Sequence, residues 1–191
     1  MLQSLGYKKT KHLDGGILAW QEKKKPVFSD FLSEASLSET IPYTPEDLLD
    51  HHGIAAVITN EKGEILMQDH VKYKFWTLPV GKVHPSQTVE EGLAQELFEE
   101  CNIVIEKWKE IATREYDYIR NGKNVAVSAH VFVILQYSGD IKNKEPHKHK
   151  EQLFLSLDKI KELPCVSDIT LLYLESIGIK RKKKLSSPKD I

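Results

Sequence analysis

The stretch from Thr88 to Asn102 constrains this chain more than any other. Thr88 and Glu91 form a capping-box signature, in which the hydroxyl takes an amide of the first helical turn and the carboxylate reaches back. Glu90 and Glu91 fall in that first turn, where negative charge favours the helix dipole. Asn102 stands where the helix must stop, and Asn is second only to Gly in a left-handed C-terminal cap. At about 100° per residue, Leu93, Ala94, Leu97, Phe98 and Cys101 gather on one side of the predicted helix. Glu96, Glu99 and Glu100 gather on another, at i, i+3 and i+4. Like charges at that spacing oppose the helix by roughly 0.2–0.5 kcal/mol per pair. A cluster of oxygen donors suits a hard divalent cation, Mg²⁺ or Mn²⁺. Gly92, one turn before Glu96, costs about 1 kcal/mol relative to Ala in a helix interior. It is expected to leave space beside the carboxylates.

Three glutamates alone usually make a solvated face. The residues in front change that reading. LPVGKVHPSQ is a Gly- and Pro-bearing loop that leads from a strand into the helix. A strand–loop–helix unit of this kind can hold a pyrophosphate close to metal ions. Lys82, next to Gly81, is a candidate phosphate contact.

Around this unit the chain reads as strands with helices at intervals. GIAAVIT and EILMQD flank a Gly-bearing turn and form a hairpin signal. FWTLPV reads as one strand stopped by Gly81, and Val125 to Tyr137 as the strongest strand. QLFLSL is a short strand, while LDKIKEL and SDITLLYLESIG are helical, the second ending at Gly178. The pattern predicts an α/β fold with a mixed sheet sandwiched by helices. We divide the chain into an N-terminal extension, 1–45, a main domain, 46–179, and a basic tail, 180–191.

Lys and Arg total 27 against 28 for Asp and Glu. That balance gives no global field for nucleic acid, and none is expected as a partner. No apolar run approaches a membrane span. The first residues have no apolar core of a secretory signal, so a cytoplasmic protein without a membrane partner is expected. Cys101 and Cys165 are too few for a disulfide framework, and Cys101 reads as a buried thiol.

GKVHPSQTVEEGLAQELFEECNI, residues 81 to 103, resembles the Nudix box: Gly, five residues, Glu, seven residues, Arg-Glu, apolar, any, Glu-Glu, any, Gly, apolar. Six of nine fixed positions match: Gly81, Glu96, Leu97, Glu99, Glu100 and Ile103. Gln87 replaces the first Glu, Gln95 the Arg and Asn102 the second Gly, and Val80 stands where many members carry another Gly. The resemblance covers roughly residues 50 to 179. It implies a Nudix-type α/β/α sandwich and metal-dependent hydrolysis of a pyrophosphate linkage in a nucleoside diphosphate derivative, a nucleotide-type small molecule. Glu99 and Glu100 would hold Mg²⁺ or Mn²⁺, with Glu96 a further ligand or the base, and Gly81 and Lys82 would meet the substrate. Gln87 and Gln95 keep a second reading open, a nucleotide-binding or regulatory module with little hydrolysis. In the family the replaced Glu and Arg can pair as a salt bridge. Two glutamines at the same spacing can instead share a neutral amide hydrogen bond.

Other residues carry weaker signals. Glu115 and Glu151 are weaker candidates for a carboxylate reaching in from outside the box, and each reads first as an ordinary surface or strand-edge residue. His147 and His149 lack the further ligands of a zinc site and read as a polar loop. Phe75, Trp76, Tyr116 and Tyr118 could stack on a base but favour the core. LGYKKTKHLDGGILAWQEKKKPV, residues 5 to 27, resembles the last part of a rhodanese domain. No Cys precedes Cys101, so sulfurtransferase activity is not expected.

Overall fold

The computed structural model describes residues 41–179. The rhodanese-like segment and the basic tail lie outside the described residues. A short 3-10 helix, Pro45–Leu48, precedes β1 (His51–Val57), β2 (Ile65–His70), β3 (Phe75–Thr77) and β4 (Val80–Lys82). Helix α1 (Val89–Cys101) follows, then β5 (Val104–Arg120), β6 (Lys123–Ser138), β7 (His149–Leu155), α2 (Leu157–Glu162) and α3 (Asp168–Ser176).

The strands form two sheets, ordered β4-β1-β6-β5 and β3-β2-β7. The first is mixed. β1 runs parallel to β6, and its other edge is antiparallel to β4. Side chains of β1 alternate between two cores, as a strand buried on both faces requires. Ile54 and Ala56 join Val83, Leu93, Leu97, Cys101, Phe132 and Ile134 under α1. Ala55 and Val57 join Met67, Leu78, Val131, Ile160, Leu172 and Leu174 under α2 and α3. This is the expected sandwich of a mixed sheet between helices. Among the described residues, no helix is long and apolar enough to cross a membrane.

The structure corrects one reading. FWTLPV is not one strand: β3 pairs with β2 in one sheet, and β4 pairs with β1 in the other. The break falls at Leu78-Pro79. Pro79 has no amide to give a ladder, while its carbonyl accepts from Ala56 N at 2.9 Å and Leu78 N donates to Thr170 Oγ1 at 3.0 Å. Gly81 therefore lies within β4 rather than ending a strand. The structure also adds a strand the sequence reading leaves out, β5, whose charged sequence gives no strand signal of its own. It is the outer strand of its sheet and joins β6 through Asn121-Gly122, both at positive φ. Asn-Gly is the favoured pair for a two-residue hairpin turn, and this was the signal available.

Candidate active site

Helix α1 forms as its sequence predicts. Thr88 Oγ1 accepts from Glu91 N at 3.2 Å, and Glu91 Oε2 accepts from Thr88 N at 2.9 Å. Asn102 adopts the left-handed conformation, φ 62°. Its side chain donates to Asp140 O at 3.0 Å. Nearby, Lys142 N donates to Cys101 O at 3.0 Å and Lys144 N to Glu100 O at 3.1 Å, so carbonyls of the last turn find partners in the segment after β6. Phe98, assigned to the apolar face, is exposed instead, and its ring receives the Lys144 ammonium at 4.4 Å from the centroid.

The three glutamates divide. Glu96 and Glu100 line a cleft of about 780 Å³, whereas Glu99 is exposed and is not part of its lining. Burial, with the Glu99 and Glu145 charges added, pushes the Glu96 carboxyl up to about 7 despite the attraction of Lys148. Burial and the Glu96 charge push Glu100 up to about 8. Glu100 Oε2 accepts from the wholly buried Gln68 Nε2 at 3.2 Å, and Glu100 Oε1 lies 3.8 Å from His149 Nε2. Among the described residues no three His, Cys, Asp or Glu side chains already form a metal-holding group. The donors nonetheless fit a hard cation: two crowded carboxylates whose shared negative charge a divalent ion would neutralise.

Glycine shapes this pair, though not at the position the sequence suggested. A Cβ at Gly92 would meet Val83 Cγ2 at 3.0 Å, so Gly92 admits the loop that precedes the helix and leaves no space at the carboxylates. A Cβ on Gly81 would overlap the Glu96 carboxyl itself. Gly81 is therefore the surface against which Glu96 lies.

The glutamines pair as expected. Gln87 Nε2 donates to Gln95 Oε1 at 2.5 Å, and Gln87 Oε1 accepts from His84 N at 3.2 Å. Gln95 Nε2 then donates to Glu99 Oε1 at 2.8 Å. A neutral chain of amides thus runs from the loop to the third glutamate.

The cleft also carries cations next to this pair. Lys72, Lys82 and Arg120 line it, together with Asp47 of the 3-10 helix. Lys82 is at the cleft as expected, but its ammonium is paired with Asp47 Oδ1, and Lys72 Nζ lies 2.5 Å from Asp47 Oδ2. Burial alone would raise the Asp47 carboxyl. The hydrogen bonds from Lys72 and Lys82 outweigh it and hold the group well below the usual carboxylate range. Arg120 Nη1 donates to Asp47 O at 2.7 Å. Pro42 and Thr44 also line the cleft, so residues placed in the N-terminal extension by sequence help build the site.

The two carboxylates outside the box take the surface positions that the sequence favoured. Glu115 is exposed and accepts from Ser128 Oγ at 2.7 Å, and Glu151 is exposed on β7. Neither lines the cleft. The acidic neighbour acting on Glu96 and Glu100 is Glu145, which pairs with Lys148 at 2.7 Å. Lys148 lines the cleft, and the charges of Glu145, Glu100 and Glu96 overcome burial to raise its pKa. His147 lines the cleft, but His149 is fully buried at the start of β7 rather than in a polar loop. Burial holds both His149 and its neighbour His70 down to about 4, so each stays neutral near pH 7. Phe75, Tyr116 and Tyr118 line the cleft, with the two tyrosine rings stacked at 5.7 Å, while Trp76 packs at the second core. Gln68, Asp47, Glu145 and Lys148 belong to no local motif, and sequence reasoning missed them.

A family model for the NUDIX domain matches residues 49–169. The chain belongs to the Nudix family. Among solved structures, a MutT NUDIX hydrolase from Burkholderia pseudomallei is 26% identical, with 57% of this chain and 84% of that chain covered and a TM-score of 0.50. A MutT protein from Methanosarcina mazei Go1 is also 26% identical, with coverages of 67% and 90% and a TM-score of 0.55. The NUDIX domain of Shewanella oneidensis NrtR, in complex with ADP ribose, shares the fold at 14% identity, with coverages of 76% and 97% and a TM-score of 0.53. No curated protein matches the chain at a significant level. The chain is a Nudix-type pyrophosphohydrolase, an enzyme that acts on acid anhydrides.

Proposed function

We propose that this enzyme hydrolyses a pyrophosphate linkage in a nucleoside diphosphate derivative, with Mg²⁺ or Mn²⁺ held by Glu96 and Glu100 and with Glu99 as a further ligand. The observation that carries this reading is the crowded pair of the half-buried Glu96 and the buried Glu100, two carboxylates facing one cleft. Such a pair is costly unless a proton or a cation balances it. When bound, the cation neutralises phosphate charge and polarises a phosphoryl oxygen.

The chain's own residues supply the rest. Gly81, with no side chain, lets the Glu96 carboxyl lie against the backbone of β4 at the cleft. The Glu96 carboxylate oxygen not engaged by the cation would take a proton from the attacking water. Lys148, whose field reaches both glutamates, balances the charge of the leaving phosphate. Gln68 holds Glu100 in place from the sheet behind it, with the neutral His149 ring packed beside the carboxyl. Phe75, Tyr116 and Tyr118 offer flat faces to a base. The Gln87–Gln95 bond keeps the loop braced without charge, which favours the enzyme over a binding module.

The test is a panel of nucleotides with Mg²⁺ or Mn²⁺, following phosphate or pyrophosphate release in the parent and in Glu100→Gln. Activity is expected in the parent only with added metal. The variant should lose more than about 100-fold, since even partners behind metal ligands are worth 10–100-fold. A folded Glu100→Gln enzyme working at the parent rate would remove Glu100 from the site.

A further inference from the structure

We propose that Asp47 sets the substrate class of the cleft: by occupying the ammonium groups of Lys72 and Lys82, it favours a nucleoside diphosphate linked to an uncharged, hydroxyl-bearing group over a nucleoside triphosphate. The inference rests on the reading of the cleft as a pyrophosphohydrolase site. Asp47 lies before the stretch matched by the family model, which begins at residue 49. Its position is built from several sides. The carboxylate accepts from Thr44 N at 2.8 Å and Thr44 Oγ1 at 3.1 Å, as well as from both lysines. The Asp47 carbonyl accepts from Arg120, which also lies over the Tyr43 ring at 5.4 Å.

The two lysines come from separate parts of the chain, Lys72 from the turn after β2 and Lys82 from the end of β4. Lys82 follows Gly81, against which Glu96 lies, so the lysine pair begins one residue from the carboxylate pair. A phosphate beyond the linkage being cut would look to such lysines. Here it meets a buried, ionised carboxylate already seated between them. The three groups sum to one positive charge instead of two, and the carboxylate repels a further phosphate. Selectivity of this kind comes from an unfavourable contact with the wrong ligand as much as from a good contact with the right one. A sugar-like group fares differently, because each hydroxyl can donate to the Asp47 carboxylate and accept from a lysine.

The test compares the parent with Asp47→Asn, which keeps size and removes charge. Both are assayed with a nucleoside triphosphate and a nucleoside diphosphate sugar, and binding of inorganic tripolyphosphate is measured by calorimetry. The parent should prefer the nucleotide sugar. Asp47→Asn should shift the ratio of kcat/KM towards the triphosphate by about tenfold or more, and bind tripolyphosphate tighter by a similar factor, the scale of one like-charge contact removed. A parent that prefers triphosphate overturns the proposal. So does an Asp47→Asn enzyme that loses activity on both substrates alike with no gain in tripolyphosphate binding. If Asp47→Asn does not fold, Asp47→Ser takes its place, and failure of both to fold assigns Asp47 a purely structural role and also overturns it. If the parent hydrolyses neither substrate, the reading of the cleft as a hydrolase falls, and the tripolyphosphate measurement still decides the role of Asp47.

Discussion

The two ends of the cleft solve opposite electrostatic problems. At one end the half-buried Glu96 and the buried Glu100 crowd together with the same sign, and each is pushed far above its ordinary pKa. At the other, Asp47 is as buried as Glu100 but sits between two lysines and is held far below its own. Burial is common to both, so the difference lies in the neighbours. The glutamate end is unbalanced in the protein alone and gains most from an added cation. The aspartate end already holds its counter-charges within the protein and keeps a net positive charge.

Gly81→Ala should break the glutamate end most sharply. Its methyl group must displace the Glu96 carboxyl, the mobile end of a side chain, so the fold survives with little change in Tm. Hydrolysis should fall by about 100-fold, the usual scale for a reacting group moved by an ångström. Retained activity in the folded variant would show that Glu96 does not work from this position.

The same contrast predicts a pH dependence of stability without metal. The Glu96 and Glu100 values are raised in the fold, to about 7 and about 8, so their contribution is full below the unfolded value near 4.5 and is lost as pH rises through 7 and 8. His70 and His149 are lowered to about 4, so their contribution is lost as pH falls below 6.5. Between pH 6.5 and 8 the glutamates dominate these four groups. Lys148 and Glu145 also face the pair, the lysine lowering and the glutamate raising its pKa values. Stability of the metal-free protein should drop by roughly 1 kcal/mol across the window, and Mg²⁺ should remove the drop. Thermal unfolding at fixed ionic strength measures it, and a flat metal-free profile would contradict the crowding of the two carboxylates.

A smaller effect separates Glu99 from the buried pair. Gln95→Arg alone should not raise activity, because it breaks the amide chain from Gln87 to Glu99. Gln87→Glu combined with Gln95→Arg should restore parental hydrolysis, with a coupling of about 0.5 kcal/mol in stability, the low end for residues in contact. Additive effects would mean that the two positions act independently.

These sites differ in how far the sequence exposes them. The ends of α1 are legible because capping is local: Thr88, Glu91 and Asn102 lie on the helix or beside it. The glutamine bond is legible because its partners are eight residues apart in one loop-and-helix unit. The environment of Glu100 is not, since Gln68 and His149 arrive from strands that meet only in the folded sheet. Periodicity also misplaced Phe98, because a residue at the margin of the apolar face can turn to a lysine of the next segment. β5 escaped for a related reason. A strand at the outer edge of a sheet, largely exposed to water, keeps charged residues that blur any alternation.

The smallest effect is expected for removal of residues 2–40, which should leave hydrolysis within roughly twofold, since the Nudix box and the strands flanking it all lie beyond that point. Extending the deletion through residue 48 should cost far more, because it removes Pro42, Thr44 and Asp47 from the cleft. Assay of the two truncations side by side separates the balanced end of the site from whatever precedes it. Equal activity in both would mean that this end plays no part in turnover.

The bonds at the end of α1 have a mechanical consequence. Asn102, Cys101 and Glu100 are tied to residues 140, 142 and 144, only a few positions before Glu145 and Lys148. Gly139 allows the approach, since a Cβ there would press on the Asn102 carbonyl at 2.8 Å. The helix and the lysine that faces it are therefore clamped as one body. Sliding α1 along its axis would carry Lys148 with it, so the spacing between the acidic pair and its basic neighbour resists any motion that leaves those bonds whole.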